Sequence, residues 1–385
     1  MSRYGVAGQA SVSSRDRPAK VVLAVANSAG TRREQRRFHY TMSSAANNER
    51  KSAGPTGPGH AGGPLRVGLV ADGAPRAGLC AALQSCLLLQ PLGQAGMPTR
   101  DGLRAVPHFD DPRTLLAQPG LEAVLLATDP HQDNGLATAA AERGLHVWRV
   151  PPLASSFAEA AEVVARARQL PTIYRVASWW EYVSDHVWHE LRWPHELTPR
   201  FSELRACGPG PVQPGGALTV LGYPLLEALV AARGLPDSVA AAVGRYRQAR
   251  AAAPAAEDTA VAVLRYSDGG SAVLRATWDM PPCEHQLTHH GPDLSVTLTD
   301  EEAQLSNANG DILDRRPLPG DFLATELLRY AEFVRGQARD RAAAPLERHL
   351  AVSALLETID LSARTGHPEA PHKFYEVQGW PEPRL

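Results

Sequence analysis

Several short stretches carry residue types that could serve a nucleotide or handle a proton. After the apolar run LRVGLVA the sequence continues DGAPRAG. In a dinucleotide-binding fingerprint, three glycines at such a turn allow a tight bend, close approach of the pyrophosphate to backbone, and close packing of helix on strand. Aligned on the strand, those positions are Ala71, Gly73 and Arg76, so one of the three is glycine. About 20 residues further on, an acid would receive the adenosine ribose hydroxyls of NAD. Here LLLQPLGQAGMPTR offers Gln90 and Gln94 and no acid before Asp101, while Arg100 would suit the ribose phosphate of NADP. A second stretch, AVLLATDPHQD, places Thr128, Pro130 and His131 at a strand's carboxyl end, where open parallel sheets hold ligands. His131 is equally readable as a turn histidine capping the next helix. Among other histidines, His186 and His189 lie three apart, and Cys283, His285 and His289 alternate on one strand face with His290 on the other. Neither set matches a recognised metal pattern such as HExxH, and core or sheet-face packing is the simpler reading.

The elements that would position these residues are legible around Leu121–Ala154. Val124, Leu125 and Leu126 form an apolar run that ends at Asp129-Pro130, and Leu136, Ala139 and Ala140 recur at helical spacing. Gly144 closes that helix, and His146-Val147-Trp148 begins another extended run. Such a βαβ unit suits a parallel sheet buried on both faces. HFDDPRTLLAQPGLEAV reads as a short helix before it, Leu153–Leu170 as an Ala-rich helix after it, and Pro171 as the end of this domain. Downstream, DTAVAVLRYSDGGSAVLRATW reads as a hairpin turning at Asp268-Gly269-Gly270, and LSVTLTDEEAQLSNANGDIL as another turning at Asn309-Gly310. Two helices close the chain. Leu323, Leu327, Tyr330, Ala331 and Val334 mark the first; Leu346, Leu350, Leu355 and Ile359 mark the second, which Gly366 and Pro368 end.

A strand ending Ala-Thr-x-Pro-His, a helix, Gly-x-His-Val and an extended Pro-Leu-Ala together resemble the Gfo/Idh/MocA family of NAD(P)-dependent oxidoreductases, from about Leu65 to about Pro368. The resemblance implies a cofactor cleft lined by Ala71, Gly73, Thr128, Pro130, His131 and Pro152, with NAD or NADP as the cofactor. It also implies a Glu-Lys-Pro strand end whose lysine serves proton transfer; the matching residues are Val150, Pro151 and Pro152. In PGGALTVLGYPLLEALVAARG, Pro214 to Gly234, the family reads Gly-Gly-x-x-x-Asp-x-Gly-x-His-x-x-Asp. The spacing survives, with Val220, Pro224 and Glu227 in place of Asp, His and Asp. Proline has no titratable side chain and transfers no proton.

Composition fits two ordinary domains: 385 residues, 44% hydrophobic, formal charge −2. No apolar run approaches the ~20 residues of a membrane helix. Four cysteines, Cys80, Cys86, Cys207 and Cys283, lack metal-type spacing and suggest reduced thiols of a cytoplasmic protein. Residues 1–64 carry ten Lys/Arg against three acids and end in a Gly/Pro-rich linker. They read as a disordered arm, a targeting peptide, or translated sequence ahead of a start at Met42. The expected layout is therefore that arm, a Rossmann-like domain of doubly wound parallel sheet over 65–170, an α+β domain with a large, mainly antiparallel sheet over 171–375, and a tail over 376–385. Trp179, Trp180, Tyr182, Trp188 and Trp193 serve either as core or as a platform for a sugar or other ring.

Two functions follow. One is a catalytically degenerate relative that keeps the fold as ligand sensor, regulator or subunit partner. The other is an active oxidoreductase on a sugar, polyol or related hydroxy compound, with Tyr223, His131 or another histidine as acid or base. A homo-oligomer through the open sheet face is expected with either; the acidic remainder argues against nucleic acid.

Overall fold

The structure is a computed structural model that describes residues 63–381 apart from 73–75, 97–102, 104, 129, 185–186, 188–198, 209–214, 247–255, 279–283, 319 and 337–345. The basic arm, Gly73, Arg100, Asp101, Trp188, Trp193, His186, His189, His195 and Cys283 lie outside the described residues.

The first sheet is parallel, with strands β1 Leu65–Ala71, β2 Leu89–Ala95, β3 His108–Phe109, β4 Ala123–Ala127, β5 His146–Arg149 and β6 Tyr174–Val176 in the order β3-β2-β1-β4-β5-β6. Every residue of β4 is buried because helices cover both faces. On one side, Leu65, Val67 and Leu69 of β1 pack against Leu79 and Leu83 of α1 (Arg76–Ser85) and Leu327 and Tyr330 of α7 (Phe322–Val334). These three alternate along the strand, so one face of β1 carries all of them. On the other side, Val70, Val124 and Leu126 pack against Leu115 of α2 (Pro112–Leu116) and Ala137 and Ala140 of α3 (Pro130–Glu142). The sixth strand lies beyond Pro171, so the parallel sheet runs past the boundary expected there.

The second sheet has eight strands: β7 Phe201–Cys207, β8 Ser238–Gly244, β9 Thr259–Arg265, β10 Ser271–Thr277, β11 Glu284–His290, β12 Leu294–Thr299, β13 Glu302–Asn307 and β14 Ile312–Pro317. Their order is β14-β13-β12-β11-β7-β10-β9-β8, and among these described strands only the β7–β10 pair is parallel. The hairpin at Asp268-Gly269-Gly270 joins β9 to β10 as expected. The stretch from Leu294 holds three strands rather than two, because β12 already turns at Asp300-Glu301 before β13 turns near Asn309-Gly310. The Thr299 hydroxyl accepts the amides of Glu301 and Glu302 and so replaces a glycine as the turn-former.

One face of this sheet is covered. Leu204, Leu264, Leu274, Leu287 and Leu298 pack with Leu225 and Leu229 of α6 (Tyr223–Arg233) and Leu355 and Ile359 of α8 (Leu346–Thr365). Each such leucine, fully buried, contributes roughly 1.5–3 kcal/mol. The other face is open, with Val261 and Val263 of β9 each 39% exposed. Among the described residues, the α-helices α4 Phe157–Ala167, α5 Trp179–Ser184 and α9 His372–Gln378 complete the order. Trp179, Trp180 and Tyr182 of α5 are buried in the core beneath the second sheet, which answers for these three the choice between core and ring platform. Among the described residues, no helix is long and apolar enough to cross a membrane.

Candidate functional site

The strand order reverses direction between β1 and β4, and that switch point is where an open α/β sheet forms its ligand crevice. Ala71 pairs with Ala127, and the Asp72 amide donates to the Ala127 carbonyl at 3.4 Å, so the β1 exit and Thr128 lie side by side. The Val150 amide donates to the Leu126 carbonyl at 3.0 Å, which brings Pro151 and Pro152 to the next exit; their peptide bond is cis. Pro130 and His131 open α3 from the same edge. Backbone geometry thus brings Ala71, Thr128, Pro130, His131 and Pro152 to one edge of the sheet.

The crevice meets the requirements of a dinucleotide only in part. Ala71 is fully buried and puts a methyl where the first glycine of the fingerprint belongs. At the β2 exit, where the ribose acceptor would stand, are Ala95 and Gly96. A side chain on Gly96 would meet the Ala71 carbonyl oxygen at 2.7 Å, and φ there is +76°. Gln94 is not available either, because its side chain donates to the Leu103 carbonyl at 2.9 Å and accepts the Leu103 amide at 2.7 Å. Among the described residues of the β2 exit, none supplies the carboxylate that a ribose of NAD uses.

Beyond the β5 exit, buried ionisable groups form a seam of polar side chains. The Leu153 backbone adjoins the Tyr223 hydroxyl and acts to lower its pKa. That hydroxyl lies 2.9 Å from Nδ1 of His349 on α8. A phenol proton donated to Nδ1 goes with a neutral ring that carries its own proton on Nε2. Nε2 faces Oε1 of Glu227 at 4.0 Å. Glu227 accepts from the Ser178 hydroxyl at 2.5 Å, and Ser178 in turn accepts the Glu181 amide at 3.0 Å.

Arginines complete the seam. Arg175 of β6 binds both oxygens of Glu326 on α7, at 3.0 and 3.1 Å, and Glu181 on α5 at 2.8 Å. Arg348 stands 3.7 Å from Glu181 and 3.8 Å from Glu227.

Burial decides the protonation of this group. It raises the Glu227 carboxyl to about 8 against the lowering effect of Ser178 and Arg348. It depresses the His349 imidazole to about 3, with the charges of Arg348 and Arg175 acting in the same direction. Although a carboxyl and an imidazole 4.0 Å apart could form an ion pair, burial keeps both neutral. Burial also raises Tyr223 well above the usual phenol value, and the Glu227 charge adds to that. For Arg175, the lowering effect of burial is outweighed by Glu326 and Glu181, which hold the guanidinium charged. Tyr223 is therefore a sequestered phenol and a poor acid or base at neutral pH. No group of three or more metal-ligating side chains occurs among the described residues. His285 instead faces Asp300, and His289 faces Ser202.

Residues 100–178 match the family model described as oxidoreductase family, NAD-binding Rossmann fold. Over those residues the chain resembles the Gfo/Idh/MocA family. Solved structures extend the likeness to both sheets. The fold is shared with an oxidoreductase from Agrobacterium radiobacter, solved with NAD+, L-tartaric acid and magnesium, at TM-score 0.65 and 16% identity, covering 80% of this chain and 99% of that one. It is shared with UDP-N-acetylglucosamine 3-dehydrogenase from Acidithiobacillus ferrooxidans at TM-score 0.63 and 16% identity, covering 78% and 98%. A levoglucosan dehydrogenase solved with NADH matches at TM-score 0.65 and 17% identity, covering 80% and 98%. These identities establish a common fold. A comparison with curated protein sequences found no match.

Sequence reasoning places the crevice edge but misses most of the seam. Glu227 is visible as the replacement for an aspartate, whereas Ser178, Arg175, Glu326 and His349 carry no motif. The available signal is charge in apolar company: Glu326 adjoins Leu327 and Leu328, and His349 adjoins Leu350.

Proposed function

We propose that this Gfo/Idh/MocA-like chain is catalytically degenerate and uses its nucleotide-binding-type fold as a ligand sensor, regulator or subunit partner. The observation that carries this reading is the fate of the proton-handling positions. Pro151 and Pro224 stand where the family resemblance expects lysine and histidine, and Tyr223 and Glu227, which flank Pro224, are buried and bound to His349 and Ser178. Hydride transfer to or from a hydroxyl carbon requires a group that gives or takes the hydroxyl proton. NAD or NADP remains the natural candidate ligand, since two of the structural neighbours were solved with NAD+ or NADH. The open face around Val261 and Val263 is the proposed surface for a second copy of the chain.

The alternative is an active NAD(P)-dependent oxidoreductase on a sugar or polyol, and the shared exit geometry of Ala71, Thr128 and Pro152 favours it. The deciding experiment compares NAD(P)-dependent turnover of the native chain with that of the double variant Pro151→Lys/Pro224→His over a panel of sugars and polyols. The degenerate reading expects an inert native chain. Turnover by the native chain above the protein-free blank, at a rate equal to or above that of the variant, would overturn it.

A further inference from the structure

The seam's carboxyls are unequally served by direct hydrogen bonds from arginine. Within contact distance, the guanidiniums of Arg175 and Arg348 face three carboxyls, those of Glu181, Glu227 and Glu326. Glu326 and Glu181 take Arg175 in direct hydrogen bonds, while Arg348 stands too far from either of its carboxyl neighbours for one. Glu227 is 1% exposed and takes a hydrogen bond from a neutral hydroxyl, with the Arg348 guanidinium 3.8 Å away and a fully buried imidazole at 4.0 Å. A buried carboxylate that no cation hydrogen-bonds directly is costly, and a protonated carboxyl is less so.

We propose that Glu227 and His349 form a proton-linked latch on the seam where α6 and α8 meet α5 and β6: a proton on Glu227 keeps the seam closed, and its loss opens it. The surroundings on every side are consistent with this. From α8 come Arg348 and His349, from α5 Glu181, from α7 Glu326 with Arg329 acting on it, and from β6 Arg175. On α6 itself stands Tyr223, which feels Arg149 of β5. The second sheet presents apolar Leu204, Ala206 and Leu287, with His289 and Arg233 interacting near the far end of α6.

The sign of the pH effect follows from proton counting. The folded-state pKa of Glu227 is raised from 4.5 to about 8, so its contribution to stability is fully present below 4.5 and is lost as pH rises through about 8. The folded-state pKa of His349 is lowered from 6.5 to about 3, so its contribution is present above 6.5 and is lost as pH falls through about 3. Between 4.5 and 6.5, folding takes up one proton at Glu227 and releases one at His349, and the pair is silent. Above 6.5 the Glu227 contribution stands alone, and the latch weakens toward alkaline pH.

The test measures folding constants by urea denaturation from about pH 5 to 9 for the native chain and Glu227→Gln, which mimics the protonated carboxyl. The ratio of native to variant constants should fall about tenfold per pH unit between roughly pH 5 and 8. Hydrogen exchange across α5 and α6, corrected for the intrinsic rate, should rise above about pH 8 in the native chain and not in the variant. A ratio independent of pH would overturn the proposal. Should the variant fail to fold, infrared spectroscopy of the native chain in heavy water decides: the carbonyl band of a buried protonated carboxyl must be present at about pH 6.5 and vanish through about pH 8. Its absence at the lower pH would overturn the latch.

Discussion

The Tyr223 hydroxyl lies 2.9 Å from Nδ1 of His349, and the two rings are stacked at an interplanar angle of 14°. This pair joins the start of α6 to the first turn of α8, and the Leu153 backbone, just past the β5 exit, adjoins the Tyr223 hydroxyl. Tyr223→Phe keeps the ring and deletes the hydroxyl, leaving Nδ1 without that partner. A buried group so stranded costs about 1–3 kcal/mol. Urea denaturation at neutral pH is expected to show a loss in that range; an unchanged midpoint would mean the contact carries no stability.

Removing the Glu227 titration should also uncover that of His349. In Glu227→Gln, stability is expected to decline as pH falls below 6.5, while the native chain holds level down to about 4.5 because the two contributions cancel. Thermal melts from about pH 4.5 to 7 distinguish the two profiles.

Arg175 is the seam's best-matched charge. Arg175→Met strands the Glu326 carboxylate, which is 0% exposed, and should cost about 3–5 kcal/mol. Replacing both members, as Arg175→Met with Glu326→Leu, should recover most of that loss, because the Glu326 charge is then gone with its partner. A double-mutant cycle by denaturation reads the coupling.

Dinucleotide affinity is expected to be weak. With a methyl at Ala71 and Gln94 tied to Leu103, calorimetry should find NAD(H) and NADP(H) binding weaker than micromolar, that is, less than about 8 kcal/mol. Micromolar or tighter binding would show that the missing ribose acceptor is supplied by another residue.

The sequence signals are strongest where packing imposes a single period. The apolar run at Val124–Leu126 forms a fully buried parallel strand, and the spacing of Leu323, Leu327, Tyr330 and Val334 forms α7. Signals fail where polar side chains shape the backbone. The β12–β13 turn relies on the Thr299 hydroxyl instead of glycine or proline, and β6 follows a proline that reads as a boundary. His349 is hidden for another reason. Residues 349–355 of α8 are buried without interruption, so no amphipathic stripe sets its inward-facing polar residue apart. The crevice edge is legible because strand exits follow from topology; the seam is not, because the adjacent β6 and α5 meet partners from α6, α7 and α8, far along the chain.

The most direct measurement of the central claim is a single-turnover experiment on the native chain. Protein in excess over NADH or NADPH is mixed with a panel of carbonyl sugars, and over NAD+ or NADP+ with the matching sugars and polyols, while nicotinamide absorbance is followed. A catalytically degenerate chain gives no change beyond that of the protein-free blank for any pair. Stoichiometric conversion of the nicotinamide with even one substrate would contradict it and establish the chain as a working oxidoreductase.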